Sequence, residues 1–151
     1  MLRSLLKGSL TVAMKARDQI SVATLRLILA ALKDRDIAER GKGNLDPISD
    51  DAILDLLQSM IRQRHESIDL YRTAGRHELA EREAKEIEII RKFLPAQLSE
   101  DEIGAAVGDV IAELGATGLK DMGRTMGSLK KRYAGRMDFS KASAVVKTRL
   151  D

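Results

Sequence analysis

The stretch from Lys120 to Arg136, KDMGRTMGSLKKRYAGR, concentrates the residue types in this chain best suited to holding a polyanion. Lys120, Arg124, Lys130, Lys131 and Arg136 supply cations, and Lys141 follows shortly after. Between them Gly123 and Gly127 stand four residues apart, which puts both on one face of a helix. An interior glycine costs a helix about 1 kcal/mol relative to alanine, so two on one face call for compensation by the close approach of another backbone. That backbone is either a packed helix or a nucleic-acid strand. Met122 and Met126 repeat the spacing and fall with Leu119 and Leu129 on an inward stripe. Part of the basic run has a simpler cause, because Lys130, Lys131 and Arg132 occupy a last turn, where cations stabilise the negative end of the helix dipole. Lys120, Arg124, Arg136 and Lys141 lie outside that turn. Helix-start donors near residues 138–141, beside Arg136 and Lys141, offer a second place for a phosphate.

Catalysis finds fewer parts. The chain has no cysteine, hence no thiolate nucleophile, disulfide or zinc-thiolate site. There is no G-x-S-x-G elbow, and Gly41-Lys42-Gly43-Asn44 is not followed by the Lys-Ser/Thr that opens a phosphate-loop helix. His65 and His77 sit in charged helical segments and read as solvated side chains rather than as ligands or acid–base groups. The acids Glu81, Glu83, Glu86 and Glu88 are interleaved with Arg82, Lys85 and Arg91. Residues two apart do not share a helix face, so this segment reads as a solvated surface with pairs such as Glu81–Lys85, not as a cation cage. No catalytic residue, metal site or cofactor is expected.

The elements that must position the basic stretch are helices. With 151 residues, 44% of them hydrophobic and 32% charged, the chain is long enough to bury a core. Its longest apolar run, Leu27 to Leu32, is far short of the roughly 20 residues of a spanning helix. Helical periodicity recurs throughout, and no Asn-Gly or Asp-Gly hairpin signal occurs. The start is free of acids up to Asp18 and carries Arg3, Lys7, Lys15 and Arg17, as a transit peptide or membrane-surface helix does. Leu2, Leu6, Leu10 and Met14 favour a first core helix instead. Further helices are expected over about 20–38, from an Ser49 cap to Gly75, and over 76–93, where Pro95 stops the fourth. Ser99 to Glu102 is a capping box, and that fifth helix closes at Gly115. A sixth over 117–133 and a seventh capped by Asp138 or Ser140 complete an all-α chain. The joint falls at Leu94-Pro95-Ala96-Gln97, between a four-helix bundle of residues 1–94 and a small three-helix domain of residues 95–151.

Net charge is only +3, but its distribution is uneven. Residues 95–117 hold five acids and no base, whereas residues 118–150 hold nine bases and two acids. Such asymmetry steers a polyanion toward one face. With only two tyrosines and two phenylalanines, base stacking on single strands is disfavoured, and a folded RNA held through phosphates and shape fits better.

The segments Phe93-Leu-Pro-Ala-Gln-Leu-Ser-Glu-Asp-Glu102, Glu113-Leu-Gly-Ala116 and Asp121-Met-Gly-Arg-Thr-Met-Gly127 resemble the GatB/YqeY family over nearly the whole chain, and Met14-Lys-Ala-Arg17 agrees. The resemblance implies a helical bundle followed by a small three-helix domain. It also implies kinship with the tail of the GatB subunit of glutamine-dependent tRNA amidotransferase, which converts Glu-tRNA(Gln) or Asp-tRNA(Asn) to the amidated form and whose tail binds tRNA. Met122, Gly123, Met126, Gly135, Arg136 and Asp138 fall on the family pattern, whereas Phe139 stands where relatives tend to carry glycine or a polar residue. The Ser-Ser-Lys glutaminase centre and the activating cradle of the family's enzymes have no counterpart. A label of carbon–nitrogen ligation with glutamine as amido donor can therefore attach to this chain without the activity. The expectation is a cytoplasmic tRNA-binding accessory module with Lys120, Arg124, Lys130, Lys131, Arg136 and Lys141 as RNA contacts and Gly123 and Gly127 as close-approach positions. Its protein partners would be amidotransferase or aminoacyl-tRNA synthetase components, with no DNA sequence reading and no membrane. An amidotransferase component and a protein-interaction module are the alternatives.

Overall fold

Apolar residues at helical spacing, punctuated by caps and glycines, give seven α-helices and no strand. The computed structural model describes residues 1–151, with α1 (Leu2–Lys15), α2 (Gln19–Gly41), α3 (Asp50–Thr73), α4 (His77–Arg91), α5 (Glu100–Leu114), α6 (Met122–Arg132) and α7 (Phe139–Leu150). Two compact units result, Met1–Leu94 and Pro95–Asp151.

Local chemistry sets most boundaries. Asp18, Ser49, Ser99 and Asp138 each accept a backbone N–H of the helix they open. At Ser99 the box is reciprocal: its hydroxyl accepts from the Glu102 N–H at 3.2 Å, and the Glu102 carboxylate accepts from the Ser99 N–H at 3.1 Å. The Ser99 N–H first, and then the Ser99 hydroxyl, hold the Glu102 carboxyl below its ordinary pKa. α5 ends at Gly115 in the left-handed region, φ 61°, where a side chain would strain the backbone.

In the first unit Leu6 and Ala13 of α1 pack with Leu25, Ile28 and Leu32 of α2, with Ile53, Leu57 and Met60 of α3, and with Ile90 of α4. A smaller cluster joins Ile68 of α3 to Ala80 and Ile87 of α4. One expected core position moves. Met14 is 51% exposed and Ala13 is buried in its place. A four-residue step advances a helix by about 40° more than one full turn, so a strict period of four rotates off the buried face. In α4 it is Ala80 that is buried, while Leu79 is 39% exposed.

Polar contacts brace this core. Arg3 donates from both terminal nitrogens to the Asp36 carboxylate, at 2.8 and 3.0 Å, and the Ile48 N–H donates to the same group at 2.9 Å. One carboxylate thus joins α1, α2 and the segment leading into α3. Between α3 and α4, Arg64 donates to Glu86 at 3.0 Å, Glu83 lies 3.9 Å from the same nitrogen, and Arg82 approaches Glu86 at 3.5 Å. The acid-rich segment of α4 is therefore not wholly solvated. Glu86 is buried, and its partners are Arg64 and Arg82. Burial, then repulsion by Glu86, raises the Glu83 carboxyl pKa.

The second unit packs Ile103, Val107 and Val110 of α5, Leu129 of α6, and Ala142, Val146 and Leu150 of α7 around Met137. Its opening segment is tied back: the Leu98 N–H donates to the Arg136 carbonyl at 2.7 Å, and the Gln97 amide donates to the Gly135 carbonyl at 2.6 Å.

Arg3 first, and then the Ile48 N–H, hold the Asp36 carboxyl below its ordinary pKa of 3.8. A folded-state pKa below the unfolded one means the stabilisation is complete above the unfolded value and fades as pH falls through the folded one. Asp36→Ala is expected to lower the unfolding free energy by about 2 kcal/mol at neutral pH. Denaturant titrations should show the gap between wild type and variant constant above about pH 5 and closing at lower pH; a gap that does not change with pH contradicts this.

Candidate nucleic-acid interface

α6 is amphipathic in an unequal way. Thr125 and Leu129 are buried, Met122 and Met126 pack against the same core, and α5 and α7 are the neighbours that cover this side. The buried Thr125 hydroxyl donates to the Asp121 carbonyl at 2.9 Å, so it fits the interior without leaving a polar atom unpaired. With that stripe inward, 3.6 residues per turn place Gly123, Arg124, Gly127, Lys130 and Lys131 on the opposite side, and all five are exposed.

The helix starts later than the spacing suggested. Gly118 is extended, Leu119–Asp121 form a 3₁₀ turn, and α6 begins at Met122. The Thr117 N–H donates to the Asp121 carboxylate at 2.9 Å, which fixes this corner. That bond, followed by the charge of Arg124, lowers the Asp121 pKa. Leu119 therefore leaves the inward stripe and is 47% exposed. Lys120, beside it in the turn, is exposed as well.

The sequence-expected contacts fall into two sets. Lys120, Arg124, Lys130 and Lys131 belong to the exposed side of the turn and α6, with Asp121 the one acid among them. Arg124 donates one hydrogen bond to Asp121 at 3.0 Å, which leaves the other donors of its guanidinium for a ligand. Arg136 and Lys141 engage other groups. The Arg136 Nε donates to the Ala96 carbonyl at 3.5 Å, and Lys141 lies 3.9 Å from Glu100. Arg132 is committed to Glu113, which it holds below its ordinary pKa. One of the helix-start donors near 138–141 is also engaged, because the Asp138 carboxylate accepts from the Ser140 N–H at 2.9 Å.

The glycine reading needs correction. A Cβ on Gly123 or Gly127 would meet nothing within 4 Å, so no helix of this chain packs against the strip. Close approach occurs at a different pair, Gly104 and Gly108 of α5. A Cβ at Gly108 would lie 2.8 Å from an Arg149 terminal nitrogen, and one at Gly104 would lie 3.3 Å from the other. The same four-residue spacing was present in α5, but nothing in sequence tied it to Arg149, 41 positions beyond Gly108. His65 and His77 are exposed, and no group of three or more His, Asp and Glu side chains is arranged to hold a metal ion.

Comparisons with known proteins agree over most of the chain. A family model described as Yqey-like protein matches residues 3–150. The protein named Altered inheritance of mitochondria protein 41, mitochondrial, from Lachancea thermotolerans is 40% identical over 112 residues, covering 72% of this chain and 57% of that protein. Its namesake from Eremothecium gossypii is 32% identical over 114 residues, covering 74% and 60%. In Saccharomyces cerevisiae the match is 36% over 91 residues, covering 60% and 47%. The chain thus spans about half to three-fifths of the length of these curated relatives. Their names correct the expectation of a cytoplasmic chain, because they are mitochondrial proteins by name. The absence of cysteine does not separate one reducing compartment from another.

Because both α6 glycines face open space, alanine there removes backbone freedom from the unfolded chain without a clash. Gly123→Ala and Gly127→Ala are each expected to raise the unfolding free energy by about 0.5–1 kcal/mol in denaturant titrations. Destabilisation by either variant contradicts the open geometry.

Proposed function

The chain belongs to the YqeY-like family, and on that premise we propose that it is an accessory module that binds structured RNA, tRNA above all, through the exposed side of α6. The observation that carries this reading is the concentration there of Lys120, Arg124, Lys130 and Lys131 against the single acid Asp121, around two glycines with nothing above them. Phosphate oxygens are the fitting ligand. Lysines offer mobile point charges, Arg124 offers spare donors, and the missing side chains at Gly123 and Gly127 let a strand come close to the helix backbone. The face is about 16 Å long by helical rise, enough for a few phosphates but not for a sequence-reading groove.

In this reading Arg136 is a structural residue that holds Ala96, and Lys141 stays beside Glu100. The two units are taken as separate domains of four and three helices, with the RNA contact in the second. Amide transfer to an aminoacyl-tRNA, where it occurs, belongs to a partner protein. The open glycine strip also suits a docked partner helix, which is the competing reading; it predicts binding indifferent to salt.

Affinity for tRNA should fall with salt with a log–log slope of about −3, the value for four neutralised phosphates at about −0.7 to −0.9 each. Changing Lys120, Lys130 and Lys131 together to Glu should weaken binding by at least about tenfold and flatten that slope by about 2. Fluorescence anisotropy across a salt series measures both. Unchanged affinity in the triple variant, with helix content retained, rejects the assignment.

A further inference from the structure

The second unit sorts its charge by helix. α6 and α7 contain no acid, whereas α5 contains five acids and no base. Each of the three packs against the other two around one core. Both basic helices mark their α5 flank with an arginine: Arg132 of α6 pairs with Glu113, and Arg149 of α7 reaches over Gly104 and Gly108. Lys141 stands beside Glu100 on that same side of α7. A helix turns by about 100° per residue, so the lysine two positions before each arginine lies about 200° round, on the flank turned from α5. Those lysines are Lys130 and Lys147. Gly123 and Gly127 share the flank of Lys130, at about 180° and 140° from Arg132.

In a three-helix unit the flanks of α6 and α7 turned from α5 meet along the α6–α7 seam. Gly123 and Gly127 leave that seam open, since a Cβ on either would meet nothing within 4 Å. Lys130 and Lys147 stand on its two sides, both exposed and neither engaged by a carboxylate. With bases on both walls and no acid on either, the seam attracts a row of negative charges. Glycine lets such a row approach the α6 backbone, and lysine heads on opposite walls suit the two sides of a phosphate ridge. The unit's two aromatic rings, Tyr133 and Phe139, pack against its core, so neither is presented as a platform for an unstacked base. A strand whose bases stay paired fits these walls, and one that must splay its bases does not.

Resting on the RNA-binding reading above, we propose that the ligand is a paired RNA stem, one backbone of which lies along the α6–α7 seam with Lys147 as a contact across from Lys130. Lys147 thus adds a fifth phosphate to the four of the α6 side. Gly123 and Gly127 set how deep the backbone sits.

Fluorescence anisotropy of the full chain with a labelled RNA hairpin, across a salt series, tests this. The wild-type log–log slope is expected at about −4, from five phosphates at about −0.7 to −0.9 each, rather than the about −3 of the α6 side alone. Lys147→Gln should weaken binding about fivefold and flatten the slope by about 0.8. Lys33→Gln, which removes an exposed charge in the first unit, should change neither. Gly127→Leu fills the seam without altering charge, and should weaken binding at least about tenfold with helix content retained. An unpaired RNA of the same length should bind at least about tenfold more weakly than the hairpin. If Lys120→Glu with Lys130→Glu and Lys131→Glu loses affinity while Lys147→Gln and Gly127→Leu bind as wild type does, the α6 reading stands and the seam is overturned. If that triple variant loses nothing, the α6 reading fails and this inference falls with it. The stem is rejected as ligand if the unpaired RNA or poly-L-glutamate binds as tightly as the hairpin, and the role of Lys147 is rejected if Lys33→Gln costs as much.

Discussion

Burial of the Met122–Thr125–Met126–Leu129 stripe against α5 and α7 is the constraint from which the candidate interface follows. An eleven-residue helix in a unit of this size has no freedom to turn another side inward. Once those four residues are covered, Gly123, Arg124, Gly127, Lys130 and Lys131 must face solvent. The interface is thus a by-product of core packing, held in place by the same apolar contacts that make the unit stable. On the proposed reading the face needs no lid or conformational change, since the charge is presented by a rigid element.

Electrostatic engagement separates residues that composition alone lumps together. Nine bases crowd residues 118–150, yet Arg132 is bound to Glu113, Lys141 sits by Glu100, Arg136 holds a carbonyl, and Arg149 lies along the α5 glycines. What remains for a ligand is the group on and just before α6, together with the exposed Lys147 of α7. Exposed pairs such as Lys141–Glu100 contribute little to stability. Their effect here is on the shape of the field, because they cancel charge near α5 and leave it on α6.

Much of the fold was legible because its signals are local. Ser49, the Ser99–Glu102 box, Gly75, Gly115 and Pro95 state helix ends within a few residues of themselves. The registers that failed did so for physical reasons. Met14 drifted off a face that turns every 3.6 residues, and Leu119 fell in a 3₁₀ turn created by a side chain four residues from its backbone partner. Long-range partners were out of reach: the Arg3–Asp36 pair spans 33 positions, and the Arg64–Glu86 pair spans 22. The candidate site was half visible. Its residue types could be read from the chain, but whether each cation was free or occupied depended on acids far away in sequence.

The central claim, that cations on α6 grip RNA phosphates, is tested most directly by lysine footprinting. The full chain is acetylated with and without bound tRNA, and modification at each lysine is read by mass spectrometry. Protection of Lys120, Lys130 and Lys131, with Lys33 and Lys42 modified equally in both states, is the result expected. Equal modification of the three α6-side lysines with and without tRNA would contradict it.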